Sequence, residues 1–216
     1  MDSNDIGNIA ITIGRQFGSG GRDIGRLVAD RLGISYYDKE LIMKEAQESG
    51  ISPKLLENAD ERTPSFLENL FSWNGISTGS VFSGNTTMTL DNLYMLQSKL
   101  IRKIAAEGPC VIVGRSAEYA LRKHRPLLSV FIHADIDDRV KRIMSRQPEL
   151  RPDQAEQLAN KRDRMRAGYY EYYTDKEWGK SESYDMSLSS SRLGIEGCVE
   201  LIIAAAKVRL KEQPSQ

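Results

Sequence analysis

The run Ile11-Thr12-Ile13-Gly14-Arg15-Gln16-Phe17-Gly18-Ser19-Gly20-Gly21-Arg22-Asp23 decides how this chain is read. Ile9 to Ile13 is short, β-branched and apolar, the pattern of a strand buried on both faces of a parallel sheet. Beyond the glycines, Ile24, Leu27, Val28 and Leu32 recur at helical spacing, and Gly33 stands where a helix C-cap belongs. The segment reads strand, glycine turn, helix. Such a turn aims backbone N–H groups at one point, glycine permits positive φ and close approach, and the helix dipole adds partial positive charge. A polyphosphate site formed by Gly18, Ser19, Gly20, Gly21, Arg22 and Asp23 is the expectation. A turn that only joins strand to helix is the plainer alternative, and four glycines between positions 14 and 23 weigh against it.

The common phosphate-loop pattern Gly-x-x-x-x-Gly-Lys-Ser/Thr is altered here. With Gly20 as its second glycine, Arg15 takes the first glycine position and Gly21 the lysine position. Arg22, one place further, is left to supply the cation, with a planar fork suited to phosphate oxygens. A metal-binding oxygen would come from Ser19, or from Asp23 through water.

Outward from this turn, strands and helices alternate. Ile34 to Tyr37 reads as a second strand ending at Asp38, with Leu41, Ile42 and Ala46 continuing as a helix. Short helices broken by Pro53 and Pro64 are expected from Ser52 to about Phe71, then a Gly-, Ser- and Asn-rich loop from Trp73 to Asn85. A helix over Leu90–Ala106 is stopped by Gly108-Pro109, and Cys110–Val113 is a buried strand ending at Gly114-Arg115. A helix from Ser116 to Lys123, a strand over Leu127–Ile132 and a helix over Ile136–Met144 with Asp135 as N-cap follow. A long polar helix spans Pro152 to about Tyr173, then a weak strand over Met186–Leu188 and a closing helix over Gly194–Leu210. This order implies an α/β fold of three layers, with about five parallel strands and ligands at their carboxyl ends. The glycine turn, Asp38 and Gly114-Arg115 all fall at such ends.

Bulk composition agrees with one domain. The 216 residues carry 30 Lys+Arg and 30 Asp+Glu, so no net charge draws the chain to nucleic acid or an anionic membrane. Two cysteines in apolar runs, Cys110 and Cys198, read as buried thiols rather than a disulfide framework, and His124 and His133 lack metal-ligand spacing. No apolar run approaches the roughly 20 residues of a membrane span. The polar N-terminus does not resemble a signal peptide, so a cytoplasmic enzyme is the expectation.

Together these segments resemble bacterial cytidylate kinase, and more closely its cytidylate kinase-like branch. The resemblance is carried by Ile11-Thr12-Ile13 with the glycine turn, by Val111-Ile112-Val113-Gly114-Arg115, and by Arg162-Asp163-Arg164-Met165-Arg166-Ala167, which looks like an arginine-rich lid. Ser189 to Glu196 resembles the segment near the adenine of ATP, while Tyr36-Tyr37-Asp38-Lys39-Glu40 and Tyr169 to Thr174 look specific to the branch. What it implies is a single P-loop kinase domain over 1–216, with about 38–107 as an acceptor-binding insertion and about 152–180 as the lid. The implied reaction is ATP + (d)CMP → ADP + (d)CDP with Mg²⁺, on nucleotide substrates and without nucleic acid.

By that resemblance Arg22, Arg162 and Arg166 are the catalytic cations, and Asp38, Arg115, Ser116 and Asp163 face the acceptor, Asp163 by orienting either an arginine or the sugar. Arg162 and Arg166, four apart on a helix, share a face; a solvated charged face is the alternative. Asp38 either contacts the acceptor or caps the next helix, and the tyrosines at 169–173 either stack on a base or pack. Three positions depart from the family pattern. The P-loop lysine is missing, Ser116 stands where Gly-Arg-Asp has its aspartate, and Ala159 stands at the lid's usual first arginine. Two further readings therefore stay open: a kinase of another small acceptor, and a catalytically weak nucleotide-binding regulator.

Overall fold

The computed structural model describes residues 7–38 and 90–211. The helix expected from Leu41, the short helices from Ser52 to Phe71 and the loop from Trp73 to Asn85 lie outside the described residues. The elements are β1 (Ala10–Arg15), α1 (Gly21–Leu32), β2 (Ser35–Tyr37), α2 (Leu90–Glu107), β3 (Cys110–Val113) and α3 (Ala117–Ala120). They continue with β4 (Leu127–His133), α4 (Ile136–Arg146), α5 (Pro152–Thr174), β5 (Met186–Ser189) and α6 (Ser190–Lys211).

The five strands pair in the order β2-β3-β1-β4-β5, and every pairing is parallel. β1 is central, with Ile13 beside both Val113 and Val130. Successive side chains of a strand point to opposite faces. Ile11 and Ile13 pack with Val111, Val113 and Ile132 beneath Ile24 and Val28 of α1 and Val199 and Ile202 of α6. Ala10, Cys110, Ile112 and Leu127 face the other way, against Leu100, Ile101 and Ile104 of α2 and the α3 segment. Burying both faces is why these strands read as continuous apolar runs. Each fully buried isoleucine contributes roughly 1.5–3 kcal/mol, so the sheet anchors whatever its carboxyl ends carry.

Two elements differ from the sequence expectation. The helix expected over Ser116–Lys123 is a single turn, Ala117–Ala120. Beyond it the chain runs on in tighter backbone turns, Arg122 N–H to Tyr119 O and His124 N–H to Leu121 O, while the Arg122 guanidinium donates to Tyr119 O and that of Arg125 to Arg122 O and His124 O. α6 begins before Gly194, but Gly194 has φ 69° and ψ 173°, so a first turn from Ser190 breaks there and the main helix starts where the glycine predicts.

Candidate active site

β1, the central strand, delivers the glycine turn to the carboxyl end of the sheet. Gly18 (φ 79°) and Gly20 (φ 81°) are both left-handed, a conformation that favours glycine. Gly18 has a second constraint, since a Cβ there would lie 2.9 Å from the Arg139 carbonyl oxygen. Gly20 caps α1 without any side-chain hydrogen bond, so the helix start is open to an anion. In front of it lies a cavity of about 230 Å³. Arg15, Arg22, Arg142, Arg146 and Arg166 line it, with Asp38 as the carboxylate facing them among the described residues. Guanidinium groups from the turn, α1, α4 and α5 thus converge on one place, an arrangement built for a multiply charged anion.

The turn is held from behind by a clasp. The Phe17 N–H donates to Asp163 Oδ1 at 2.7 Å, and the Phe17 carbonyl accepts from Arg139 Nε at 2.8 Å. Arg139 and Asp163 close the loop with an ion pair of their own. Asp163 was expected at the acceptor, orienting an arginine or the sugar; it does orient an arginine, Arg139, but its other oxygen is on the phosphate turn. Arg166, one helical turn further along α5, donates to the Arg15 carbonyl at 3.0 Å and lies over the Phe17 ring. Arg162 is half-buried and lines neither this cavity nor the second one described below. Ala159 is fully buried against Ile143 between α4 and α5, which leaves no room there for the arginine of the family pattern. Arg142 and Arg146 on the facing helix α4 line the cavity.

Arg22 and Asp38, predicted for opposite substrates, are paired with each other. Arg22 Nε and its terminal nitrogen lie 2.9 and 2.8 Å from Asp38 Oδ2. The Tyr36 hydroxyl donates to the same oxygen at 3.3 Å, and burial pushes that phenol above its ordinary value, helped by the Asp38 charge. The metal expectation fits poorly. Ser19 is fully buried and its hydroxyl donates to the Gln16 carbonyl at 2.9 Å. Asp23 is 2.5 Å from Arg146, and neither Ser19 nor Asp23 lines the cavity. No group of three or more His, Cys, Asp or Glu suited to a metal ion occurs among the described residues.

A second, smaller cavity of about 40 Å³ adjoins the first and shares Arg15 and Arg166 with it. Arg115 and Ser116, both predicted for the acceptor, line it. Both carry positive φ, 63° and 48°, at the carboxyl end of β3. The Arg15 guanidinium lies over Gly114, where a Cβ would come within 2.0 Å of it. The remaining wall is Glu118, Tyr169, Tyr170, Trp178 and Tyr184. Glu118 is 9% exposed, and burial pushes its carboxyl up to about 7 against the pull of Lys176 and Arg15. Tyr169 donates to Gln97 at 3.1 Å, and Tyr94 stacks on Tyr173 at 4.1 Å, so most of this tyrosine cluster packs. Arg15, Arg142, Arg146 and Glu118 were missed from sequence. For Arg15 the signal was there, a long cation where the pattern has glycine; the other three depend on which helix face meets the turn.

Comparison with known proteins bears on this geometry. The model of the cytidylate kinase-like family matches residues 10–192, and the chain belongs to that family. It is similar to an uncharacterised protein from Eubacterium ventriosum, with 27% identity over 93% of this chain and 99% of that one, at a TM-score of 0.70. A shikimate kinase from Bacteroides thetaiotaomicron shares the fold at a TM-score of 0.50, with 14% identity over 91% of this chain and 97% of its own. No curated protein matches the chain. The class is therefore that of kinase-like P-loop proteins, and family and fold together support nucleotide-dependent phosphoryl transfer.

Proposed function

We propose that this chain transfers the γ-phosphoryl group of ATP to the phosphate of CMP or dCMP, giving ADP and CDP or dCDP. The observation that carries the reading is the cavity at the carboxyl end of β1, floored by an uncapped helix start and walled by five guanidinium groups. Phosphoryl transfer needs little covalent help and much positioning of anionic oxygens. The amides of the Gly18–Gly21 turn would hold the donor phosphates. Arg166, which lines both cavities, would bridge donor and acceptor phosphates, with Arg115 and Arg15 on the acceptor side. Arg22, held by Asp38, would serve the junction between them rather than standing in for the missing lysine. Divalent metal chemistry belongs to the bound nucleotide, because Mg²⁺ is commonly carried by phosphates and water. Ser19 and Asp23, the oxygens expected to hold the metal, do not line the cavity.

The same reading makes the chain one kinase domain, with about 38–107 as the acceptor-binding insertion and about 152–180 as the lid, working in the cytoplasm. Within α5 the Phe17 clasp ties the middle of the lid to the turn it covers. The altered acceptor positions, Ser116 and the buried Ala159, favour as second reading a kinase of another small acceptor. ADP release measured over CMP, dCMP, UMP, AMP and a set of sugar acids decides between them. CMP turnover that Arg115→Ala does not weaken would refute the acceptor assignment. No turnover with any acceptor would leave only a nucleotide-binding role.

A further inference from the structure

We infer that Glu118 reads the acceptor: its carboxyl takes a hydrogen bond from the amino group of the bound pyrimidine while Tyr170 donates to the neighbouring ring nitrogen. The inference rests on the proposed kinase reading and names the contact that selects the base.

Glu118 stands at the start of α3, two residues beyond Ser116, where the family pattern would have placed its carboxylate. It is more than nine-tenths buried, and its Oε1 has no hydrogen-bond partner among the described residues. The Tyr170 hydroxyl, from α5 on the far wall of the same cavity, is likewise buried and makes no hydrogen bond of normal geometry among them, though the Tyr184, Ser183 and Thr174 hydroxyls are its neighbours. Left unmade, such bonds cost stability, and proteins seldom keep two unmade in one cavity unless something fills it. One is an acceptor and the other a hydroxyl. Together they match a ligand edge that offers an N–H beside a lone pair, which is the edge of cytosine. At about 40 Å³ the space takes the tip of a ligand, not a whole nucleoside. The rest of the molecule would extend toward Arg15, Arg115 and Arg166, which suit its phosphate.

The charged and titratable groups around Glu118 support this. Arg15 and Lys176 pull its carboxyl down, burial outweighs them, and Tyr170 and Tyr184 are themselves pushed up by burial and by the Glu118 charge. A carboxyl poised near neutrality accepts an N–H in either protonation state.

The test compares CMP with UMP, which carries a carbonyl where CMP has its amino group. In Glu118→Gln one of the two carboxyl oxygens becomes an NH2 group, which can donate to that carbonyl as the carboxylate cannot. The ratio of kcat/KM for CMP to that for UMP is expected to fall about tenfold or more, with the KM for ATP unchanged. A merely structural role would lower both acceptors alike and leave the ratio where it was, which overturns the inference while sparing the kinase reading. Wild-type protein that never turns over CMP overturns both. Should Glu118→Gln fail to fold, Tyr170→Phe gives the second readout: a higher KM for CMP at constant KM for ATP supports the contact, and an unchanged KM for CMP overturns it.

Discussion

The two cavities share a wall and differ in what they leave unfinished. The larger one is finished on the protein side. Its turn is clasped at Phe17 N–H and C=O, Arg166 is tied to the Arg15 carbonyl, and Arg22 to Asp38. Its cations are set in place before any anion arrives, which is what electrostatic preorganisation requires. The smaller cavity is unfinished: a buried carboxyl oxygen and a buried phenol on its wall make no hydrogen bond among the described residues. A fixed charge, the phosphate, is met by prearranged arginines, whereas a selective contact is kept open at a cost in stability until the right ligand closes it.

Substitutions along the shared wall should break or sharpen this contrast. Arg166→Ala, which strips a cation from both cavities, is expected to lower kcat/KM about a thousandfold, against less than about tenfold for Arg162→Ala, which touches neither; steady-state ADP release compares the two. Asp163→Ala removes the acceptor of the clasp and strands the buried Arg139, so about 3 kcal/mol of unfolding free energy should be lost in a denaturant titration.

Glu118 gives an effect of opposite sign. Its carboxyl titrates near 7 in the folded chain against an ordinary value of 4.5. Between those values the folded state holds a proton the unfolded chain has released, so stability falls as pH rises from about 4.5 to about 7 and is flat above. Glu118→Gln removes that slope and should be more stable than wild type by on the order of 1–3 kcal/mol at pH 8, with little difference at pH 4. A variant that gains stability while losing acceptor discrimination would mark the group as kept for function. A wild type with no such pH slope in its thermal midpoint would count against the buried acid. The smallest change belongs to the half-exposed Arg146–Asp23 pair: Asp23→Asn should move stability by less than about 1 kcal/mol.

Much of the frame was legible in the chain. The β-branched runs at Ile9–Ile13, Cys110–Val113 and Leu127–Ile132 marked three strands, because strands buried on both faces need apolar residues at every position. Gly33 and Gly194 marked helix boundaries, because their positive φ suits few other residues. The site was legible only where it touched such punctuation, at Gly18–Gly21 and at Gly114-Arg115. Asp163 was read as serving the acceptor, through the sugar or through an arginine, because its neighbours in sequence are lid arginines. A helix turns about 100° per residue, and its packing on α4 directs that carboxylate to Phe17 instead. Arg22 and Asp38 were assigned separately because 16 positions part them, yet they meet across the ends of α1 and β2.

By itself, then, the sequence determined a parallel three-layer sheet, a phosphate-binding turn after its first strand and membership of the cytidylate kinase-like family. Those follow from local rules: periodicity along a strand, glycine where φ is positive, motifs in order. Only the tertiary structure decided which guanidinium groups surround the phosphate cavity, that the clasp on Phe17 uses Asp163, and that Glu118 is buried with an oxygen unbonded among the described residues. Such matters depend on which faces of α4 and α5 pack over the turn, and burial and pairing are properties of that packing rather than of any one stretch of chain.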